Sequence, residues 1–146
     1  MRNTFKSLFV LLLAVSAFAF TPNPTSNNWK LYKEIQGIQI FTKVGNCKLE
    51  HTKKSAKYML FKYVNTTNKN LRITGHVDAY YNGNCRSCGL NSPNEYDFSI
   101  DLKAGTTQKG NCSDELKAFK LYYGQTDKEN ADLSKFELSQ LAVATF

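Results

Sequence analysis

The chain carries none of the common signatures of catalysis. No Gly-x-Ser-x-Gly elbow, His-Glu-x-x-His pair or phosphate-cradling glycine loop occurs in its 146 residues. Histidine is confined to His51 and His76, and arginine to Arg2, Arg72 and Arg86. The first shortage leaves His76 and Asp78, two apart on one strand face, with no evident third ligand or nucleophile. Arg72 and Thr74 share that face, so a solvated surface pair is expected, and Glu50-His51 is weaker still. The second shortage removes the residue that forms bidentate forks on phosphate and carboxylate. Apolar runs are also scarce. The longest, Leu8 to Val15, is too short to cross a membrane as a helix. These absences predict a non-enzymatic protein with no cofactor, no bound metal and no integral membrane segment once its leader is removed.

What is present begins with that leader. Arg2 and Lys6 supply positive charge, Leu8 to Val15 an apolar centre, and Ala17-Phe18-Ala19 a small-x-small cleavage pattern. Residues 1–19 therefore read as an export signal cut after Ala19. Residues 20–28, with two prolines, read as a flexible lead, and 29–146 as one domain. The first cysteine is Cys47, so the cut site lacks the cysteine that lipid anchoring by that route needs. The mature protein is expected to be secreted or periplasmic, where thiols oxidise. A hydrophobic content of 42% and an aromatic content of 13% are too high for a disordered chain. The formal charge of +7, less Arg2 and Lys6, leaves +5 on the mature chain, a modest bias toward anionic partners.

Beyond Trp29 the hydrophobic period is two almost throughout. Trp29 to Ile35, Ile38 to Lys43, Tyr58 to Val64, Leu71 to Ala79 and Glu95 to Leu102 read as strands. Tyr58 to Val64 is apolar on both sides and reads as central. Gln36-Gly37 and Ala104-Gly105 read as turns, and Asn65 to Asn70 as a loop. Thr106 to Lys109 reads as a polar return strand. Leu116 to Tyr123 reads as a strand whose first half can form a helical turn. In the last strand Phe136 and Leu138 share one parity and Leu141 and Val143 the other, which requires a bulge near Ser139-Gln140. No helix is long enough to cover a sheet. The pattern predicts an all-β fold, an antiparallel β-sandwich of immunoglobulin-like type with seven to eight strands, stapled by disulfides. A partly closed barrel is the other architecture considered. An outer-membrane barrel is disfavoured by four loop cysteines and the polar segment Thr106 to Lys109.

Three cysteines follow Gly-Asn: Cys47, Cys85 and Cys112. The fourth, Cys88, closes Cys85-Arg86-Ser87-Cys88. Gly-Asn marks turns, so each cysteine is expected where a strand gives way to a loop. An eight-strand up-and-down chain places all four at one pole. Structural disulfides are expected, and the reading favours bridges joining Cys47 and Cys112 to the Cys85/Cys88 loop. Cys47–Cys112 with Cys85–Cys88 is the other pairing considered. A four-thiolate zinc site would need two close pairs. A redox centre at Cys85/Cys88 would need a helix after it, where Gly89 to Pro93 is loop sequence.

Two surfaces are candidates for binding. Lys48, Lys53, Lys54 and Lys57, with Arg86 at the same pole, form a possible polyanion site, although a solvated lysine loop is the favoured reading. Outward-facing Tyr80 and Tyr122, with Tyr32, form a possible aromatic platform against the alternative of ordinary cross-strand packing. Asn65-Thr66-Thr67 and Asn111-Cys112-Ser113 match the glycosylation pattern. The function expected is an exported, non-catalytic binding or accessory module for a surface or protein partner. The alternatives are a glycan or polyanion binder, and a cysteine-based metal or redox protein. The partner is a protein or an anionic glycan, and nucleic acid is not expected.

Overall fold

The structure is a computed structural model, and it describes residues 28–48, 54–89, 94–127 and 132–146. The leader and the lead up to residue 27 lie outside the described residues. Nine strands and one 3-10 turn make up the described fold. They are β1 (Lys30–Ile35), β2 (Ile38–Lys48), β3 (Ser55–Asn65), β4 (Leu71–Tyr81) and β5 (Asn84–Cys85), then β6 (Asp97–Leu102), β7 (Thr107–Lys109), β8 (Lys120–Gln125) and β9 (Leu133–Thr145). Asn94–Tyr96 forms the 3-10 turn before β6.

The strands make two antiparallel sheets. In the first, β1, β2 and β3 are successive neighbours, and β7 and β8 share the far edge of β3. In the second, β4 is central, with β9 on one edge and β5 and β6 dividing the other. The hairpins β1–β2 and β4–β5 close on Gln36-Gly37 and Asn82-Gly83. All four residues have positive φ (45°, 82°, 50° and 81°), the conformation that matches the twist of a two-residue hairpin. The Ser139-Gln140 bulge is present. Pairing of β4 with β9 slips between Thr74↔Ala142 and His76↔Ser139, and Gln140 sits at φ 50°. Leu116 to Phe119 is a single helical turn, with Phe119 N and Lys120 N both donating to Leu116 O.

One core lies between the sheets. Ile38, Ile40, Phe61, Tyr63 and Leu121 come from the first, and Ile73, Val77, Ala79, Ile100, Leu102 and Leu138 from the second. Phe61 meets Phe136 edge-on at 5.3 Å between ring centroids. Tyr63 points its hydroxyl at Ala118 O, 2.9 Å away, so its polar end is satisfied although the residue is fully buried. The 65–70 loop is organised by Asn65, whose amide donates to Lys69 O, Leu102 O and Lys103 O while its oxygen accepts from Thr67. A side chain this buried, at 1% exposure, is no acceptor for a glycan, so that match to the glycosylation pattern is set aside.

In its strands and cysteines the structure differs from the sequence reading at two points. First, Gly45-Asn46 is no turn. β2 runs straight through it in register with β3, Gly45 facing Tyr58 and Asn46 facing Lys57. Second, the cysteines pair as Cys47–Cys112 and Cys85–Cys88, the arrangement the reading did not favour. Cys112 follows β7 and lies beside the end of β2, its sulfur 3.8 Å from Asn46 O. Cys85 instead lies on β5, opposite Tyr80 in the second sheet. Each strand cysteine, Cys47 and Cys85, therefore bonds to the loop cysteine beside its own sheet. Gly110, two residues before Cys112, allows the approach: a Cβ there would collide with the backbone oxygens of Phe119 and Phe61. The disulfides are compatible with an oxidising compartment.

Candidate functional site

The alternation of β2 and β3 builds a face that composition alone does not disclose. Ile38 and Ile40 are fully buried, so Gln39, Phe41 and Lys43 lie on the opposite side of the strand. Phe61 and Tyr63 are fully buried in β3, so Lys62 between them also points outward. Register then aligns residues from four strands. Leu31 lies opposite Phe41, Phe41 opposite Lys62, and Lys62 opposite Lys109. The next row carries Lys43, Leu60 and Lys120. Trp29, just ahead of β1, places its ring centroid 4.8 Å from Lys43 Nζ and 5.4 Å from Lys62 Nζ. Lys62 Nζ also stands 4.0 Å from the Phe41 centroid. These are cation–π distances, which hold the ammonium groups over the rings.

The electrostatics of this face are one-sided. Partial burial lowers the Lys62 pKa from its ordinary value, and the charges of Lys109 and Lys43 lower it further. Among the described residues no carboxylate forms an ion pair with Lys43, Lys62 or Lys109. Like charges directly opposite one another across strands destabilise a sheet, so the Lys62–Lys109 pair works against folding. Leu31 is 55% exposed, and Trp29 and Phe41 are half-buried. The face thus offers concentrated cations beside accessible ring surface. It can neutralise anionic groups while packing against flat apolar ones.

The residues singled out from sequence are distributed differently. Lys48 is the exposed last residue of β2, Lys54 directly precedes β3, and Lys57 lies within β3 opposite Asn46. Lys53 lies outside the described residues. Because β2 and β3 extend further than expected, the basic stretch is divided between two strand ends. Arg86 directly follows β5, beside the other sheet, its amide donating to Ala79 O. The three tyrosines keep separate company. Tyr32 packs on Phe136 at 5.0 Å, and its hydroxyl accepts from Leu138 N. Tyr80 lies under Lys135 Nζ. Tyr122 meets Tyr58 edge-on at 5.8 Å and stacks with Tyr81 at 6.5 Å. The Lys62 site left one sequence signal: a lysine interrupting the otherwise apolar run Tyr58 to Val64. Its partners were hidden because register, which is not local, supplies them.

His76 is no solvated residue. It is 5% exposed, with Nδ1 2.5 Å from Asp97 Oδ1 and Nε2 2.5 Å from Ser87 O. Burial lowers its pKa, but the Asp97 and Ser87 hydrogen bonds and the charges of Asp97 and Asp78 outweigh that and raise it. Ser87 itself closes the gap between β5 and β6 along the edge of β4. Its hydroxyl accepts from Ala79 N at 2.8 Å and donates to Val77 O at 2.6 Å. No protein-family model, curated protein or solved structure matches the chain.

Proposed function

We propose that the chain is an exported, non-catalytic binding module whose ligand is an anionic glycan, held on the outer face of the first sheet. Lys43, Lys62 and Lys109 would take the negative groups, and Trp29 and Phe41 the flat faces of the sugar rings. The observation that carries this reading is the in-register row Phe41, Lys62, Lys109, with no carboxylate paired to its lysines among the described residues. A sheet gains nothing in stability from juxtaposed lysines, whereas a bound anion would turn their repulsion into attraction. Disulfides and an expected export signal fit a protein that meets such ligands outside the cytosol. The immunoglobulin-like comparison extends to two antiparallel layers. The order differs, because β1, β2 and β3 are consecutive in one sheet, whereas the third strand of an immunoglobulin domain belongs to the opposite one.

Retention on an immobilised sulfated polysaccharide across a salt gradient tests this. The double variant Lys43→Gln/Lys62→Gln should elute at markedly lower salt than the parent. A variant neutralised at Lys48, Lys54 and Lys57 should elute close to it. Equal elution of the parent and the Lys43/Lys62 variant would overturn the reading, and a shift confined to the other variant would move the site to the strand ends.

A further inference from the structure

A second cluster lies on the outer side of the second sheet and takes no part in the lysine face. Ligand atoms of Asp78, Cys85 and Cys88 all lie within 4.8 Å of one another. The fold assembles them from a short stretch of chain. β5 doubles back on β4 through Asn82-Gly83, pairing Cys85 with Tyr80. The Ser87 hydroxyl is then clamped to Val77 and Ala79, on either side of Asp78 in sequence. His76, two residues before Asp78 on the same strand face, holds Nε2 3.7 Å from Asp78 Oδ1. Both of its ring nitrogens are engaged, Nδ1 by the Asp97 carboxylate and Nε2 by Ser87 O, so His76 lines the corner without being a ligand. In the oxidised chain the two sulfurs are bonded to each other and neither is a thiolate.

We propose that reduction of Cys85–Cys88 converts this corner into a zinc site. The Cys85 and Cys88 thiolates and the Asp78 carboxylate are three ligands, and a water completes the tetrahedron. This is distinct from a site built of all four cysteines, since Cys47 and Cys112 pair on the other sheet. The reductant is a dithiol. One of its thiolates attacks the exposed Cys88 sulfur, breaking the Cys85–Cys88 bond and forming a mixed disulfide. Its second thiol then displaces Cys88. The reductant leaves as a cyclic disulfide, having given two electrons and two protons, and the chain carries two thiols. Zinc displaces both thiol protons as it binds. The occupied site keeps one net negative charge, and the exposed Arg86 guanidinium lies between the two cysteines in sequence to offset it.

The test uses the full exported chain, reduced with a dithiol, desalted without oxygen and titrated with Co2+ alone as the spectroscopic stand-in for zinc. The reduced chain should take up one equivalent with thiolate-to-cobalt absorption, and the oxidised chain none. Asp78→Asn should weaken uptake roughly tenfold or more, and Cys85→Ser/Cys88→Ser should abolish it, with circular dichroism reporting the fold throughout. No uptake by the reduced chain overturns the proposal. Undiminished uptake by the Cys85→Ser/Cys88→Ser variant, or unchanged affinity in Asp78→Asn, does so too. So does loss of the fold on reduction, because the ligands converge only while β5 stays on β4. The result is independent of polysaccharide binding, since none of these residues lies on the lysine face.

Discussion

Lys109 lies directly across from Lys62, and its ammonium raises the cost of charging Lys62. The effect registers at Lys62, where burial, Lys109 and Lys43 all act to lower the pKa. A single reversal of charge separates the contribution to folding from the contribution to binding. Lys109→Glu turns a repulsive cross-strand pair into an attractive one, worth about 0.5 kcal/mol in favour of the fold. The same change places a negative charge in the row that would take an anionic ligand. Urea unfolding at low salt should therefore show Lys109→Glu slightly more stable than the parent, while its retention on sulfated polysaccharide falls. The opposite signs are the point of the experiment. A variant that loses stability and binding together would show that Lys109 supports the sheet. A variant that binds as the parent does would remove it from the site.

At the scale of elements, β9 shows how irregularity preserves a pattern. Leu138 is buried at 1% exposure, and beyond the bulge Leu141 and Val143 still pack against the core, although their parity differs from that of Leu138. One extra residue between them restores the inward face, and Gln140 takes up the slack at φ 50°. A β-branched side chain at that φ is strained. Gln140→Val, which strand propensity alone would favour, is expected to cost about 1–2 kcal/mol in chemical denaturation. Gln140→Gly is expected to cost little. A neutral Gln140→Val would mean that β9 can pair with β4 without the bulge. This feature was legible in the sequence because parity is a local count, and β6 was legible for the same reason. The continuation of β2 was not. Gly45-Asn46 has turn chemistry, yet the ladder with β3 carries it through to Lys48↔Ser55. Turn propensity is local, whereas the partners that override it are supplied by a strand elsewhere in the chain. The lysine face was missed on the same grounds, its residues being aligned by the pairing of β2, β3 and β7. The cysteine pairing escaped because it depends on which sheet each cysteine joins, a question strand counting does not answer.

Phenols are bonded within the packed layers, one of them across the two sheets, and this gives the whole molecule a characteristic alkaline behaviour. Tyr63 donates to Ala118 O, and Tyr81, from the second sheet, donates to Tyr122 O in the first at 3.0 Å. Burial is the main cause that pushes the Tyr81 pKa up to about 12, with smaller contributions from neighbouring tyrosines. Burial raises the Tyr63 pKa further still, with the Tyr32 charge adding to it. Both phenols are therefore held neutral in the fold, while in the unfolded chain they ionise near the ordinary value of 10. Below that value the two states bind these protons equally and the stabilisation is complete. Above it the unfolded chain binds fewer protons, so stability falls as pH rises toward the folded-state values. Unfolding midpoints should accordingly decline above about pH 10. Tyrosinate absorbance should include a late stage, from Tyr63 and Tyr81, coincident with loss of the fold. Tyr63→Phe forfeits the bond to Ala118 and should cost about 1 kcal/mol at neutral pH, yet its stability should decline less steeply in alkali than that of the parent. If every tyrosine titrates in one step while the sheets remain intact, Tyr63 and Tyr81 are open to water and the packing described between the layers is wrong.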